Sequence, residues 1–412
     1  MNAMLALNSG SSSLKFAFFT GDEGDDERLL RSGELAPIGA ADGLCVVRDA
    51  SGQAILKQRA SLPDHHAASQ TLLEMLRGHA SDWPFAAVGH RLVHGGAAFS
   101  EPRRLSPALL GSLRELIPLA PDHLPQALAL IEAVTDAYPT LPQAVCFDTA
   151  FHRTLPAVAQ TYALPRQLTE EGRLRRYGFH GLSYESVHAA LAREDAAAAS
   201  GRIVIAHLGN GASLCALRAG QSIETTMGFT PIGGLVMGTR TGDLDPGALL
   251  YLMERHQLTP AQARALVSHE SGLLAVSGGP DHGTPDMRAL LAREADDPRA
   301  ALAVALFCYR AKQYLGALAA VLGGLDTLVF TGGIGEHAPA IRARICDGLE
   351  YLGVRLDPTR NAASAPVISP DQDAVMVRVV AADEERMIAR HAAAVLRGSP
   401  SQRASSSTPP RR

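Results

Sequence analysis

The chain has 412 residues, more than one hydrophobic core usually serves, so its length predicts two domains. Hydrophobic residues make up 46% and charged residues 19%, proportions typical of a soluble globular protein. A net charge of −4 excludes the strongly basic surface that binding to nucleic acid requires.

The five cysteines lie far apart and form no CxxC pair, so neither a disulfide framework nor a zinc site is indicated. The start of the chain has no basic segment followed by a long apolar stretch, which favours the cytoplasm over secretion. The best membrane candidate, Ala301 to Leu322, is interrupted by Arg310, Lys312 and Gln313. It therefore indicates a buried helix, and no membrane association is expected.

Apolar, β-branched runs alternate with Ala- and Leu-rich runs along most of the chain, which predicts an α/β fold. Strands are predicted at Met4–Leu7, Leu14–Phe19, Leu44–Val47, Ala87–His90, Ala144–Phe147, Ile203–Leu208, Leu214–Leu217, Thr327–Phe330 and Val375–Val380. Helices are predicted at Pro107–Ile117, Gln126–Ala137, Tyr184–Arg193, Ala261–Val267, Ala301–Leu322 and Glu384–Leu396. Residues 398–412 are mostly Ser, Pro and Arg with almost nothing to bury, which predicts a disordered tail.

Two segments about half a chain apart follow one plan, an apolar strand, a small polar turn with glycine, and a second apolar strand. They run from Leu5 to Leu14 and from Ile205 to Leu214. In a chain with 38 glycines such a likeness also arises by chance. If it is a duplication, each half of the chain opens with the same hairpin, and two related domains face each other across a cleft.

Several well-known catalytic motifs are missing from the sequence. It has no GxxxxGK[ST] phosphate loop, no HRD or DFG, no GxGxxG opening a helix, no GxSxG elbow and no HExxH. What remains is a set of Gly-rich turns, each at the end of a predicted strand and beside polar side chains. Any phosphate chemistry must therefore use these turns.

The first such turn runs from Asn8 to Lys15. Its small residues expose backbone N–H groups and hydroxyls that can surround phosphate oxygens. Lys15 adds a positive charge, and the amide oxygen of Asn8 suits a hard metal ion near a phosphate. A plain polar hairpin turn explains the same residues equally well.

Arg91, Asp148 and His180 follow predicted strands or lie between glycine-flanked aromatic residues. Arg91 could hold a carboxylate or phosphate through two hydrogen bonds. Asp148 directly follows a buried strand, where α/β enzymes commonly place catalytic carboxylates. His180 could donate to a developing phosphoryl charge. The simpler alternatives are a surface ion pair for Arg91, a helix cap for Asp148 and a structural role for His180.

Three later segments complete the set. The run from Thr226 to Pro246 is rich in Gly and Thr and contains Arg240, which predicts a shaped loop that lines a site. Gly332 to Glu336 is a glycine turn between a strand and a helix, which can bring a nucleotide close to the backbone. Glu384 lies at a helix start, where it either complements the helix dipole or binds Mg²⁺.

In this order the segments resemble the acetate kinase family, from Asn8 to about Arg390. The matching segments are LNSGSSSLKF, GHRLVHGG, FDTAFH, RYGFHG, HLGNGAS, MGFTP with MGTRTGDLDP, and FTGGIGE. Each is moderately specific alone, whereas seven in the family's order make coincidence implausible. That family belongs to the actin-like superfamily, with sugar kinases and Hsp70 chaperones. The resemblance thus implies an α/β protein of two duplicated actin-like (ribonuclease H-like) domains with a cleft between them.

The resemblance also implies the domain limits and the activity. An N-terminal domain of residues 1–150 is expected, with the C-terminal helix 384–397 packing back on it. Residues 151–383 would form a C-terminal domain that binds the nucleotide and dimerises. The implied reaction is the reversible, Mg²⁺-dependent transfer of a phosphoryl group from ATP to acetate, giving acetyl phosphate and ADP. Mn²⁺ could replace Mg²⁺, and the enzyme would be a cytoplasmic homodimer.

Residue roles implied by the resemblance fall on matching positions of this chain. Asn8 and Glu384 would bind Mg²⁺. The expected catalytic residues are Arg91, Asp148, His180 and Arg240. Arg91 would bind the substrate carboxylate, helped by an apolar pocket that includes Val93, Phe179 and Pro231. The nucleotide would be contacted by Lys15, His207, Leu208, Gly209, Asn210, Gly211, Asp286, Met287, Arg288, Gly332, Gly333, Ile334, Gly335 and Glu336.

The chemistry agrees with these roles. Phosphoryl transfer through a loose transition state needs positioning and positive charge around the equatorial oxygens rather than a covalent catalyst. A carboxylate substrate is already ionised at pH 7 and needs no strong base. Asp148 is therefore expected to orient and stabilise rather than to accept a proton.

Some positions depart from the family pattern. Asp122 stands where the family usually has Leu in the wall of the methyl pocket, so either Asp122 turns away or the preferred acid differs. Leu182 and Tyr184 also replace commoner family residues. The stretch from Ser277 to Arg288 is longer than expected, so Asp281 competes with Asp286 as the nucleotide-contacting aspartate.

Two other functions compete with acetate kinase. The first is the same chemistry on propionate or butyrate, because pocket size separates such acids by only about 1–3 kcal/mol per methylene. The second is an actin-like ATP-binding protein without catalysis, which would have little reason to keep Arg91, Asp148, His180 and Arg240 together.

Overall fold

The computed structural model describes residues 3–10, 12–20, 27–171 and 173–397. The predicted disordered tail and Ser11 of the first Gly-rich turn lie outside these residues. The chain divides into two compact units. The first unit takes the chain up to Ala150 and resumes at Asp383, and the second unit is Phe151–Ala382.

Regular elements fill most of both units. The described strands are β1 (Ala3–Ser9), β2 (Leu14–Phe19), β3 (Leu29–Ala36), β4 (Ala40–Asp49), β5 (Ala54–Leu62), β6 (Phe85–Leu92), β7 (Arg103–Arg104), β8 (Gln143–Phe147), β9 (Arg202–Leu208), β10 (Ala212–Arg218), β11 (Gln221–Thr225), β12 (Thr327–Thr331) and β13 (Met376–Val379). The described α-helices are α1 (His65–Gly78), α2 (Pro107–Arg114), α3 (Leu124–Ala137), α4 (Ala157–Gln160), α5 (Arg166–Glu171), α6 (Gly181–Glu194), α7 (Ala196–Ala199), α8 (Pro246–His256), α9 (Pro260–His269), α10 (Gly272–Val276), α11 (Gly279–His282), α12 (Met287–Arg293), α13 (Pro298–Leu322), α14 (Gly332–His337), α15 (Pro339–Cys346), α16 (Pro358–Ala362) and α17 (Glu384–Arg397). Short 3₁₀ helices lie at Ile117–Leu119, Asp148–Thr154 and Glu350–Leu352.

The first unit is built on one mixed sheet with the strand order β5-β4-β3-β2-β1-β6-β8-β7. β1 pairs antiparallel with β2 and parallel with β6, and β6 pairs parallel with β8. Helix α17 packs on β1, β6 and β8. It lies close to the sheet because Gly89 has no side chain, since a Cβ there would come within 2.8 Å of Ile388 and 2.9 Å of Ala392.

The second unit contains a sheet with the strand order β11-β10-β9-β12-β13. Its strands repeat the order and the directions of β3-β2-β1-β6-β8, with two antiparallel pairs followed by two parallel pairs. The long helix α13 packs on β9, β10 and β11. The two hairpins singled out in the sequence are thus equivalent elements of two related units, and the predicted duplicated, actin-like α/β fold is confirmed.

The predicted elements are all present, with ends that shift by a few residues. As predicted, residues 226–245 contain no helix or strand. Among the longer elements, the sequence analysis missed the strands β3, β5 and β11 and the helices α1, α8 and α15. The strand β5 was missed because most of its side chains are exposed, so it lacks the apolar alternation of a half-buried strand.

No α-helix in the described ranges is both long enough and apolar enough to cross a membrane. The 25-residue helix α13, which was the best candidate by sequence, instead buries ten of its side chains inside the second unit.

Candidate active site

The first-unit site begins with a buried ion pair between Arg91 and Asp148. Arg91 lies near the end of β6 and Asp148 directly follows β8, and these neighbouring parallel strands end at the same edge of the sheet. Nε of Arg91 lies 3.1 Å from both carboxylate oxygens of Asp148, and Nη2 lies 2.6 Å from Oδ2. Asp148 is only 1% exposed, so its charge is neutralised by Arg91 rather than by water.

Asn8 connects this pair to the start of α17. Its amide oxygen accepts a hydrogen bond from Nη1 of Arg91 at 2.9 Å. Its amide nitrogen donates to Oε2 of Glu384 and to Oε1 of Glu385, both at 2.9 Å. Asn8 lies near the end of β1, beside β6, which explains the contact with Arg91. We call Asn8, Arg91, Asp148, Glu384 and Glu385 the arginine cluster.

The arginine cluster contains more negative than positive charge. Burial alone would lower the pKa of Arg91, but Asp148 and Glu384 outweigh this effect and raise it. Burial, followed by repulsion from Glu384, raises the pKa of Glu385. Three carboxylates around one guanidinium favour the binding of a further cation.

The oxygen ligands of the arginine cluster fit a divalent metal that is shared with a phosphate. Carboxylate and amide oxygens are the protein ligands that Mg²⁺ prefers, and Mg²⁺ usually keeps several waters and substrate oxygens. Within the described ranges no group of three or more His, Cys, Asp or Glu side chains could hold a metal. The carboxylate and amide oxygens of the arginine cluster would leave the remaining positions around a metal to substrate oxygens and water.

Two residues near the predicted acid pocket belong to the first unit. Val93 is 6% exposed and directly follows β6. Asp122 is half-buried just before α3, and its backbone carbonyl accepts a hydrogen bond from the side chain of Gln126. Lys15 is exposed on β2, opposite Asn8 in the hairpin, and its charge acts on Glu385.

The second-unit site is organised around His180. This residue has a left-handed backbone (φ 57°) directly before α6. Two residues earlier, Gly178 leaves room for the His152 ring, which a Cβ there would approach to 2.6 Å. Nδ1 of His180 lies 2.8 Å from Oγ of Ser213 on β10. The His180 ring also stacks on His207 of β9, with 4.3 Å between ring centroids. Two strands and a helix start thus fix one imidazole ring.

The side chains of Arg240 and His180 both lie next to one glycine, Gly211. A Cβ added at Gly211 would lie 3.2 Å from Nε2 of His180 and 3.6 Å from Nη1 of Arg240. The predicted irregular loop supports Arg240, because the carbonyl of Pro231 accepts from Nη1 at 3.0 Å. Two side-chain nitrogens therefore lie beside the same glycine. We call His180, His207, Ser213 and Arg240 the histidine cluster.

The turn between β9 and β10 is packed against the irregular loop. The backbone N–H of Gly238 donates to the carbonyl of Asn210 at 3.0 Å, and a Cβ at Gly238 would come within 1.9 Å of the Asn210 side chain. The same added Cβ would lie 3.2 Å from Pro285, which precedes α12. Among the residues predicted to contact the nucleotide, those near 210 and 285 thus lie close together.

The remaining predicted nucleotide residues have different environments. Asp286 caps α12 by accepting from the N–H of Arg288 at 2.7 Å, whereas the Arg288 side chain is 92% exposed. Oε1 of Glu336 accepts from the N–H of Gly332 at 2.9 Å and therefore holds the glycine turn closed. Gly333 is exposed, and the other predicted residues are buried or half-buried, namely Phe179, Pro231, Leu208, Gly209, Met287, Ile334 and Gly335.

Several residues around these clusters were not expected from the sequence. The sequence analysis gave a metal-binding role to Glu384 only, so it missed the adjacent Glu385, although both glutamates were visible in the sequence. Ser213 and Tyr184 become relevant only through their side-chain contacts with His180 and with each other. Arg342 is fully buried and donates to the carbonyls of Gly335 and Glu336, which no sequence pattern reveals.

Comparison with known proteins identifies the family. The model of the acetokinase family matches residues 3–390. An acetate kinase of Rhodopseudomonas palustris (strain ATCC BAA-98 / CGA009) is 47% identical over 397 residues, covering 95% of this chain and 97% of the relative.

Two solved structures are similar over almost the whole chain. The acetate kinase of Porphyromonas gingivalis has a TM-score of 0.82 at 36% identity, covering 96% of this chain and 100% of the other. The propionate kinase of Francisella tularensis subsp. tularensis SCHU S4 has a TM-score of 0.86 at 33% identity, covering 95% and 99%. Sequence motifs, duplicated sheets and full-length similarity agree, and the chain belongs to the acetokinase family.

Proposed function

We propose that this phosphotransferase is an acetate kinase that reversibly transfers the γ-phosphoryl group of ATP to acetate. An acetate oxygen forms the new bond to phosphorus, and the bond to the bridging oxygen of ADP breaks with its electron pair leaving on ADP. The products are acetyl phosphate and ADP. The observation that carries the proposal is the guanidinium of Arg91, only 12% exposed, which Asp148 and Asn8 fix at the ends of parallel strands.

Arg91 is suited to bind the acid. Its five N–H groups include three that donate to Asp148 and Asn8 within the described contacts. One N–H on each terminal nitrogen is left for a carboxylate oxygen. Asp148 holds the guanidinium plane, so the acid meets a donor group whose orientation is already fixed. Asp148 thereby orients and stabilises without accepting a proton.

Glu384 and Asn8 would hold the divalent metal together with phosphate oxygens, and we propose Mg²⁺, with Mn²⁺ able to replace it. A bound metal supplies positive charge to the phosphate oxygens. Glu385 adds negative charge next to Glu384 and strengthens the preference of this position for a cation. Removal of metal with EDTA should abolish turnover, and added Mg²⁺ should restore it.

The histidine cluster supplies donors for the transferring phosphoryl group. Nε2 of His180 and the guanidinium of Arg240 lie beside Gly211 and would donate to equatorial oxygens. The turn at His207 to Gly211, the segment around Asp286 to Arg288, and the turn at Gly332 to Glu336 would contact ATP. Excess positive charge at these oxygens stabilises a loose transition state more than the ground state.

The decisive assay traps acyl phosphate with hydroxylamine in the presence of ATP, Mg²⁺ and a series of acids. We expect product with acetate, and a loss of about 10³-fold in turnover in Arg91→Ala or Arg240→Ala. Arg114→Ala is the matched control, because its exposed pair with Glu132 has no contact with either cluster. No acyl phosphate with any acid would favour the non-catalytic ATP-binding alternative, and near-normal turnover in a folded Arg91→Ala would refute its role.

A larger acid is the second candidate. It is favoured by Asp122, which departs from the family pattern, and by the similarity to a propionate kinase structure. One methylene changes binding in an apolar pocket by about 1–3 kcal/mol, so the difference must be measured. The kcat/KM values for acetate, propionate and butyrate identify the preferred acid. A higher kcat/KM for propionate than for acetate would make propionate the proposed substrate.

We also propose a homodimer formed through the second unit. Leu302 and Tyr309 are 60% and 64% exposed and lie seven residues apart on one face of α13. Tyr351, which is 76% exposed, lies beside Gly316 of the same helix. Such an apolar surface favours association. Tyr309→Glu should give a monomer in analytical ultracentrifugation, whereas a wild type that is already monomeric would refute the dimer. Because the reaction uses ATP, we expect it in the cytoplasm.

A further inference from the structure

The hydroxyl of Ser213 links His180 to Tyr184. Oγ of Ser213 lies 2.8 Å from Nδ1 of His180 and is also hydrogen-bonded to the hydroxyl of Tyr184. Ser213 and Tyr184 are both fully buried. Because buried hydroxyls need a hydrogen-bond partner within the protein, these contacts restrict where the protons of the two hydroxyls and of the His180 ring lie.

Tyr184 holds His180 through its backbone as well. The backbone N–H of Tyr184 donates to the carbonyl of His180 at 3.0 Å, as the first hydrogen bond of α6. Residues four apart lie on one face of a helix, so the Tyr184 side chain returns toward His180. His180, Ser213 and Tyr184 are therefore joined in a closed ring, by two side-chain hydrogen bonds and one backbone hydrogen bond.

The His180 ring is also restrained by its neighbour. His207 stacks on it, and Nδ1 of His207 lies 2.7 Å from Oγ of Ser183. A flip of the His180 ring would pass through an orientation perpendicular to this stack. The contact with Ser213 therefore stays on Nδ1 and cannot exchange with Nε2 without displacing His207.

His152 shows how the protons are arranged in a similar contact. Nε2 of His152 lies 2.9 Å from the carbonyl oxygen of Phe179, which can only accept, so Nε2 carries a proton. Burial lowers the pKa of His152 to about 4, so the ring is neutral at pH 7. Nδ1 must then accept, and Oγ of Ser222, 2.8 Å away, donates to it.

The same order of protons fits His180. We propose that Tyr184 and Ser213 are positioning residues that fix His180 in the tautomer with its proton on Nε2. The Tyr184 hydroxyl donates to Ser213, and the Ser213 hydroxyl donates to Nδ1. Nε2–H then lies beside Gly211 and near Nη1 of Arg240. This inference rests on the proposed function, in which that N–H donates to the transferring phosphoryl group.

The test measures kcat and KM for Tyr184→Phe, Ser213→Ala and the double variant. We expect kcat to fall about tenfold in Tyr184→Phe and about 10²-fold in Ser213→Ala, the scale of one lost transition-state donor. The KM values for acid and ATP should change less than threefold. Because Tyr184 acts through Ser213, adding Tyr184→Phe to Ser213→Ala should cause no further loss of kcat.

Ser222→Ala is the matched control, since it removes the hydroxyl of an equally buried serine from a Ser–His hydrogen bond of the same length in the same unit. We expect a similar loss of stability in Ser222→Ala and Ser213→Ala, but kcat within about twofold of wild type only in Ser222→Ala. Equal losses of kcat in both variants would show a structural effect and overturn the proposal. Additive effects of the Tyr184 and Ser213 changes would overturn it too.

A spectrum reports the tautomer directly. Nitrogen-15 labelling of the 15 histidines, with His180→Gln to assign the signal, shows which ring nitrogen of His180 carries the proton. We expect a proton on Nε2 in wild type and a mixture of tautomers in Ser213→Ala. A proton on Nδ1 in the neutral ring of the wild type would refute the inference. Full turnover in His180→Gln would instead refute the proposed role of His180.

Discussion

The ion pair between Arg91 and Asp148 allows stability and activity to be separated by two substitutions. Arg91→Met keeps much of the side-chain volume but leaves the carboxylate of Asp148, 1% exposed, without its cation. Removing one partner of a buried pair costs about 3–5 kcal/mol, because the other charge stays buried and unpaired. The lost hydrogen bond from Nη1 to Asn8 contributes to the same total.

A second substitution should restore most of this stability without restoring turnover. In Arg91→Met with Asp148→Asn the remaining group is neutral, so the penalty for an unpaired charge disappears. We expect the double variant to regain at least about 2 kcal/mol of the unfolding free energy relative to Arg91→Met. Turnover should remain about 10³-fold below wild type in both variants, because no guanidinium is left to bind the acid.

Urea unfolding followed by circular dichroism gives the stability, and hydroxylamine trapping with saturating ATP gives the turnover. Arg114→Met in the exposed pair with Glu132 provides the control, with an expected cost below about 1 kcal/mol. If the double variant is no more stable than Arg91→Met, the charge of Asp148 is not the source of the instability. If it regains turnover, Arg91 does not bind the acid.

Further predictions concern stability at low pH and the glycine turn after β12. Burial lowers the pKa of His90 to about 4, below its value in the unfolded chain, so stability is full above about pH 6.5 and falls by about 3 kcal/mol toward pH 4. The unfolding free energy of each variant should be measured at pH 7 and at pH 5. The decrease between these pH values should be smaller in His90→Asn than in wild type and in the exposed control His66→Asn. An equal decrease in His90→Asn and wild type would contradict the assignment to His90. Arg342→Met should raise the KM for ATP at least about tenfold, with little change in the KM for acid, because Arg342 holds the carbonyls at the end of α14. The control is Arg344→Met, two residues further along the chain, because Arg344 pairs with Glu294 on the surface; both of its KM values should stay unchanged. A KM for ATP in Arg342→Met equal to that of wild type would refute the effect of Arg342 on the turn.

Much of the fold could be predicted from the chain alone, for a physical reason. Strands buried on both faces, such as β1, β8 and β12, are nearly continuous apolar runs. β1 and β12 lead directly into glycine-containing turns where they leave the core. Both signals are local, so the two hairpins and their likeness were visible without coordinates. The strand β5 has no such signal because it is mostly exposed, and it is held by pairing with β4.

The site was only partly predictable, because contacts between residues far apart in the chain leave no local signal in the sequence. Residue types at strand ends indicated Arg91 and Asp148, and a glycine-flanked aromatic segment indicated His180, since their order and surroundings are local features that the family shares. Their partners depend on register and side-chain direction, which bring together residues far apart in the chain. Asn8 contacts Glu385 across 377 positions, and Ser213 contacts His180 across 33. The sequence by itself determined the family and indicated candidate residues for the reaction, whereas only the tertiary structure decided which buried neighbours set their charge and orientation.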